Sequence, residues 1–197
     1  PRQPSSAASD VYKRQIISKS QEAMYNFQNT GLSILEIGHR SKEFEKLMNS
    51  LQENIRNIFN VPTNYFTLFL QGGATFQNTF IANNFDKRDK DLGCLVTGTW
   101  GKNTFDDFSK IRETKLIELS QDEIENFVEN GEDLKNVDYL HLTSNETING
   151  VQLREFNKIN HDSLLIDMSS DIGSYRFEWD NIAYIYAGAQ KNMGIPG

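Results

Sequence analysis

IAYIYAGAQK, residues 182–191, is the stretch of sequence that decides the fold. It begins with the apolar run 182–186 and continues through the small residues AGA to Gln190 and Lys191. A short run rich in β-branched and aromatic side chains predicts a buried strand. Ligands of open α/β sheets bind beyond the carboxyl ends of the strands, so Lys191 is predicted to lie where a ligand binds. A lysine after a strand is also often merely solvated, and Lys191 alone does not decide between the two.

Apolar runs of the same kind recur along the chain and alternate with helical patterns. The clearest helix spans Ser41 to Phe59, because apolar side chains recur there every three or four residues and Ser41 is placed to cap the first turn. A second helix is predicted from about Thr75 to Asn84. The predicted strands are Tyr65–Leu70, Leu92–Val96, Lys115–Leu119, Tyr139–Leu142, Leu164–Ile166 and Ile182–Tyr186. This alternation predicts an α/β fold with a mostly parallel central sheet.

The composition is that of a folded chain in water. Of the 197 residues, 38% are hydrophobic and 24% are charged, which argues against disorder. The net charge of -7 disfavours nucleic acid or an anionic membrane as the main partner, since both require a basic surface. No apolar run approaches the ~20 residues of a membrane-spanning helix. The single cysteine, Cys94, is predicted to be a small core residue, and we expect a cytoplasmic protein.

The first fifteen residues, PRQPSSAASDVYKRQ, differ in character from the rest of the chain. They contain two prolines and clustered serine and alanine, with few residues suited to a core. We therefore expect residues 1–15 to be a disordered, non-native leader and the folded domain to comprise residues 16–197.

Gly72, Gly73, Ala74 and Thr75 follow one predicted strand and open a predicted helix. Glycines let the backbone approach an anion closely, and the unpaired N–H groups and dipole of a helix N-terminus favour a phosphate. A plain tight turn explains the same four residues equally well, so this signal is weak by itself.

Asp167 directly follows the run Leu164–Ile166, which places its carboxylate at the end of a strand. An aspartate there is also common in turns and helix caps. A phosphate at residues 72–75, a carboxylate at Asp167 and an amine at Lys191 nevertheless match the phosphate, pyridine nitrogen and aldehyde of pyridoxal phosphate. Trp100, which follows the strand ending at Val96, is suited to stack on the ring. The combination predicts a pyridoxal-phosphate site.

Successive segments of the chain resemble, in the same order, the motifs of the phosphoserine aminotransferase family. They are GLSILEIGHRSKEF (31–44), FLQGGAT (69–75), TGTWGKN (97–103), HLTSNETINGV (141–151), IDMSSDIGS (166–174) and IYAGAQKNMG (185–194). The resemblance runs from about Gln21 to Gly197. It implies the three-layer large domain of a fold-type-I pyridoxal-phosphate transferase, truncated and without its C-terminal small domain.

The resemblance also implies how each residue contacts the cofactor. Lys191 is the catalytic lysine that joins the cofactor aldehyde as an imine, and Asp167 pairs with the pyridinium nitrogen. Trp100 stacks on the ring, and Thr147 binds the phenolic oxygen. Each of these roles is an expectation from the family.

Other residues matched by the resemblance are implied to bind anionic groups. Ala74 and Thr75, with Gln190, hold the cofactor phosphate. His39 and Arg40 bind the anionic substrate, for which a planar guanidinium is well suited. A solvated pair at a helix start is the alternative for His39 and Arg40. No metal is implied.

The implied reaction transfers an amino group between glutamate and 3-phosphohydroxypyruvate, giving O-phospho-L-serine and 2-oxoglutarate. The family works in serine biosynthesis and in pyridoxine biosynthesis, as a homodimer. Because the resemblance stops shortly after Lys191, we expect the chain by itself to be incomplete for activity.

Three alternatives remain open at this point. The nearest is another small-substrate aminotransferase or a cysteine desulfurase of the same fold type, although Cys94 is badly placed for a desulfurase. A non-catalytic relic that serves as a binding module is the second. A nucleotide-binding protein that uses Gly72 and Gly73 is the third, but it lacks the phosphate-binding lysine that such a loop requires.

Overall fold

The structure, a computed structural model, describes residues 14–85, 91–130, 134 and 136–194. The chain divides into two compact units, one of Pro1–Phe69 with Ala189–Gly197 and one of Leu70–Gly188. Residues 1–13 of the predicted leader lie outside the described residues, and Arg14 and Gln15 begin a helix. The leader therefore stays a prediction.

The first unit is helical where the structure describes it. Helix α1 spans Arg14–Asn26 and continues into a 3-10 turn at Phe27–Asn29, and helix α2 spans Lys42–Phe59. The hydroxyl of Ser41 accepts a hydrogen bond from the backbone N–H of Phe44 at 3.2 Å, so the predicted cap of α2 is confirmed.

One predicted strand is wrong. Among the described residues, Tyr65–Leu70 pair with no strand, although the segment is apolar and outside any helix. A strand needs a hydrogen-bonded neighbour, and this segment has none among the strands that the structure describes. Its side chains are uncovered as a result: Phe66 is 89% exposed and Leu68 is 65% exposed.

The second unit is built around a parallel sheet. Its strands are β1 (Asp91–Val96), β2 (Thr114–Glu118), β3 (Val137–Thr143), β6 (Leu164–Asp167) and β7 (Ile182–Tyr186), in the order β2-β1-β3-β6-β7. All neighbouring pairs in this sheet are parallel. Two short strands, β4 (Asn145–Glu146) and β5 (Val151–Gln152), form a separate antiparallel hairpin. The predicted α/β fold with a parallel sheet is confirmed.

Helices α3 (Gly73–Asn84), α4 (Thr99–Ser109) and α5 (Gln121–Asn130) belong to the same unit, with a 3-10 turn at Phe156–Lys158. Helices α3 and α4 pack on one face of the sheet, where a fully buried cluster includes Ile81, Phe108 and Leu165. Alternate strand residues point to the other face and are also buried, such as Leu142 and Ile166. Within the described part of the chain, no helix has the length and apolar character needed to cross a bilayer.

Cys94 is fully buried in that cluster, as predicted, and beside it lies an unexpected buried histidine. The Nδ1 atom of His141 lies 3.8 Å from the Cys94 sulfur, and its Nε2 atom lies 3.0 Å from the Tyr186 hydroxyl. Burial lowers the pKa of His141 from 6.5 to about 3, so the imidazole is neutral in the folded protein.

We expect His141 to make folding pH-dependent. In the unfolded chain His141 takes up a proton as the pH falls through 6.5, whereas in the folded chain it does so only at about pH 3. The contribution of neutral His141 to the free energy of unfolding is therefore fully present above pH 6.5 and is lost as the pH falls from 6.5 to about 3. From about pH 7 to about pH 5 this amounts to a loss of about 2 kcal/mol. Urea unfolding of the wild type and of His141→Asn at both pH values measures it. Equal losses in the two proteins would contradict the prediction.

Candidate active site

The carboxyl ends of three neighbouring strands form the edge at which the site lies. Thr143 at the end of β3 pairs with Asp167 at the end of β6, and Asp167 pairs with Tyr186 at the end of β7. Asp167 is therefore at the middle of this edge, as the sequence predicts. Since Leu165 belongs to the cluster beneath α3 and α4, strand alternation places the Asp167 side chain on the same face.

Hydrogen bonds from two loops hold Asp167 in place. Its Oδ1 atom accepts from the backbone N–H of Ser169 at 2.8 Å. Its backbone carbonyl accepts from both the N–H and the hydroxyl of Ser144, each at 3.0 Å. The turn-forming role and the proposed ligand-binding role of this aspartate are thus compatible, because the turn fixes the orientation of the carboxylate.

The start of α3 has the features of an anion-binding site. The N-cap residue Gly72 has no side chain with which to cap this helix, and Gly72 and Gly73, the first residue of α3, have φ angles of 99° and 67°. A Cβ atom on Gly72 would lie 2.7 Å from the ring of Phe76, so only glycine fits there. Ala74 and Thr75 lie in the first turn, whose N–H groups have no partner within the helix. The residues present therefore fit a phosphate.

The start of α4 is different, because side chains of the β4–β5 hairpin close it. The backbone N–H of Thr99 donates to Asn149 Oδ1 at 2.9 Å. The N–H groups of Trp100 and Gly101 donate to the two carboxylate oxygens of Glu146, at 2.8 Å and 2.6 Å. Among the described residues, no such side-chain contact closes the start of α3, so its N–H groups suit an external anion.

Trp100 and Thr147, predicted to contact the same ring, are in direct contact. The indole Nε1–H donates to the Thr147 hydroxyl oxygen at 3.0 Å. The hydroxyl hydrogen of Thr147 is then available to donate to another acceptor, such as a phenolic oxygen. Trp100 is 39% exposed, so part of its indole surface is open to a ligand.

The other predicted site residues lie in the first compact unit. Gln190 and Lys191 form a turn that is closed by a hydrogen bond from the N–H of Gly194 to the carbonyl of Ala189 at 2.6 Å, and Lys191 is half-buried. His39 and Arg40 are exposed in the turn before α2. These four residues and the carboxyl edge of the sheet belong to different compact units, so the predicted contacts of the four residues with cofactor and substrate stay predictions.

Sequence reasoning missed the polar residues that support this edge. Glu146 is fully buried, and Asp171 is only 3% exposed and accepts a hydrogen bond from Ser144 at 2.6 Å. Burial raises the pKa of Asp171. Glu146 and Asp171 lie within the segments 141–151 and 166–174 that resemble the family. Their hydrogen-bond partners are distant in the sequence, so no local spacing predicts their supporting role. In the described ranges, no group of His, Cys, Asp and Glu side chains is arranged to hold a metal ion.

Comparison with known proteins is consistent with this geometry. The phosphoserine aminotransferase of Geobacillus kaustophilus is 40% identical over 186 residues, which cover 92% of this chain and 51% of that protein. The chain spans about half the length of the curated relatives it matches.

Solved structures of similar proteins share the fold. The phosphoserine aminotransferase from Bacillus circulans subsp. alkalophilus superposes with a TM-score of 0.79 at 34% identity, over 96% of this chain and 54% of that one. The PLP-bound phosphoserine aminotransferase from Trichomonas vaginalis gives 0.78 at 29% identity, over 93% and 55%. The aminotransferase class-V profile matches residues 5–197, and the chain therefore belongs to the class-V aminotransferase family.

Proposed function

We propose that the full-length protein is a phosphoserine aminotransferase that transfers an amino group between glutamate and 3-phosphohydroxypyruvate with pyridoxal phosphate. The observation that carries the proposal is the carboxyl edge of the sheet. There an uncapped helix start, the Trp100–Thr147 pair and the oriented carboxylate of Asp167 belong to one compact unit. Relatives that are 33–40% identical and carry the phosphoserine aminotransferase name support the substrate class.

When bound, pyridoxal phosphate supplies an electrophilic aldehyde and a ring that accepts electrons. The first turn of α3, with Ala74 and Thr75, binds the phosphate through backbone N–H groups and the threonine hydroxyl. Gln190 assists there. Trp100 covers one face of the ring and excludes water from it.

Asp167 and Thr147 would contact two different polar groups of the ring. The Asp167 carboxylate stabilises a proton on the ring nitrogen, because a negative group favours the protonated form of a base beside it. The Thr147 hydroxyl, oriented by the indole N–H of Trp100, donates to the phenolic oxygen.

Lys191 performs the proton transfers. Its amine would hold the cofactor aldehyde, and when free it would take the proton from the α-carbon of the amino donor and pass it to the carbon of the former aldehyde. Arg40, with His39, binds the carboxylate or phosphate of the substrate through the planar donors of the guanidinium.

The remaining features belong to the same proposal. Residues 16–197 are part of the cofactor-binding domain, and the active form is a cytoplasmic homodimer that serves serine biosynthesis and also pyridoxine biosynthesis. A single buried cysteine, Cys94, is compatible with a reducing compartment.

Substrate preference tests the proposal. With glutamate as donor, we expect the full-length protein to use 3-phosphohydroxypyruvate about 100-fold better in kcat/KM than hydroxypyruvate, because one charge-assisted hydrogen bond contributes about 1.5–3 kcal/mol. A coupled assay of 2-oxoglutarate formation measures both. Equal use of the two acids would identify a different aminotransferase, and absence of both turnover and cofactor binding would identify a binding module.

A further inference from the structure

Glu146 is a buried charged residue to which the proposed mechanism assigns no role. Its side chain is fully buried in the β4–β5 hairpin. Both carboxylate oxygens accept from N–H groups in the first turn of α4, Trp100 at 2.8 Å and Gly101 at 2.6 Å. A negative group at a helix N-terminus is stabilised by the helix dipole, so this pairing replaces the water that the carboxylate loses on burial.

The backbone of α4 is shaped to let Glu146 approach. A Cβ atom on Gly98 would lie 2.7 Å from the Glu146 Cδ atom, and a Cβ atom on Gly101 would lie 3.2 Å from its Oε1 atom. Any side chain at Gly98 would therefore displace the carboxylate. These two glycines make room for one specific contact.

Trp100 is held at two points by consecutive residues. Glu146 accepts from its backbone N–H, and Thr147 accepts from its indole N–H. Asn149 accepts from both the N–H and the hydroxyl of Thr99 next to it, at 2.9 Å and 3.0 Å. One hydrogen bond therefore fixes the backbone of Trp100 and the other fixes its indole ring, so the orientation of the side chain is restricted at both ends.

We infer that Glu146 is a positioning residue, which fixes the indole of Trp100 and the hydroxyl of Thr147 in the orientation that a bound ring requires. Its action on Trp100 stands on the hydrogen bonds alone, whereas its effect on cofactor binding rests on the proposed function. A glutamine would lose one acceptor, because its amide nitrogen would face an N–H group of α4. Two acceptor oxygens are therefore required at this position, which only a carboxylate supplies in this shape.

The first test uses the fluorescence of Trp100 in the cofactor-free protein. The background replaces every other tryptophan of the full-length protein with phenylalanine, which in this chain means Trp179→Phe. We expect Glu146→Gln to shift the Trp100 emission to the red and to lower its anisotropy, because the indole gains freedom and contact with water. If both signals stay at the parent values, the inference is overturned.

The matched control is Glu123→Gln. Glu123 also binds the start of a helix, since its carboxylate accepts from the N–H and the hydroxyl of Ser120 beside α5, at 2.8 Å and 2.6 Å. Both variants therefore weaken a carboxylate cap at a helix start, but only Glu146→Gln changes a contact with Trp100. We expect Glu123→Gln to leave the Trp100 signals unchanged, and an equal response in the two variants would reduce Glu146 to a general stabiliser.

Cofactor titration is the second readout. We expect Glu146→Gln to weaken pyridoxal phosphate binding about 10-fold, and less than that when Trp100 is already phenylalanine, because the effect passes through Trp100. Fully additive effects would overturn the coupling. If the parent binds no pyridoxal phosphate, the proposed function fails, and the fluorescence comparison still decides the positioning role.

Should Glu146→Gln not fold, Glu146→Asp withdraws the carboxylate by one methylene and is judged by the same signals.

Discussion

Lys191→Ala is expected to abolish the visible absorbance of the bound cofactor and to lower transamination by about 10³–10⁴-fold, the upper part of the range for a group that transfers a proton. Alanine can neither bond to an aldehyde nor carry a proton to and from the substrate α-carbon. Both losses follow from the same nitrogen, so they should occur together. The absorption spectrum and a glutamate-dependent assay of the full-length protein measure them.

Lys158→Ala is the control, because Lys158 is an exposed lysine paired with Glu155 at 2.8 Å. An exposed ion pair contributes little to stability, so this variant should keep both the absorbance and the rate. Borohydride reduction followed by peptide mapping should place the cofactor on Lys191 in the parent. Absorbance that persisted in Lys191→Ala would contradict the central assignment.

Asp167→Asn is expected to lower kcat by about 10²–10³-fold while the protein stays folded. The amide oxygen of asparagine still accepts from the N–H of Ser169, so the turn survives. In the proposed mechanism the negative charge of Asp167 keeps the ring nitrogen protonated, and without it the ring should accept electrons poorly. Steady-state kinetics and far-UV circular dichroism measure the two effects separately.

Asp180→Asn provides the matched change, because Asp180 is exposed in the turn before β7. It removes the same charge from the same kind of side chain outside the carboxyl edge. A similar loss of kcat in both variants would mean that net charge, rather than contact with the ring, explains the Asp167 effect.

The sequence predicts those parts of the fold whose determinants are local. Strands β1 and β6 contain short apolar runs that end beside a polar residue, Thr97 after β1 and Asp167 at the end of β6. This local pattern is enough to predict both as buried strands of a parallel sheet. Asp167 could be placed at the carboxyl edge for this reason. Tyr65–Leu70 has an equally good pattern, but a strand also requires a neighbour, which no local pattern specifies.

The supporting contacts of the site depend on distant residues and could not be read from spacing. Glu146 binds an N–H group 46 residues away in the sequence. His141 alternates with apolar residues in β3, and nothing near it in the sequence indicates that Tyr186 will meet its ring. The family resemblance named Trp100 and Thr147 separately, and the hydrogen bond between them emerges from the fold.

The strand order has a consequence for the way the chain folds as it is synthesised. After β1 and β2 have paired, β3 joins the free side of β1, β6 joins β3 and β7 joins β6, so every later strand is added to the same growing side. Among the strands that the structure describes, none has to be inserted between two that have already paired. The ribosome adds about 5–20 residues per second, so each new strand can pair with the edge of the sheet soon after it is synthesised. No strand pair that formed earlier has to break first.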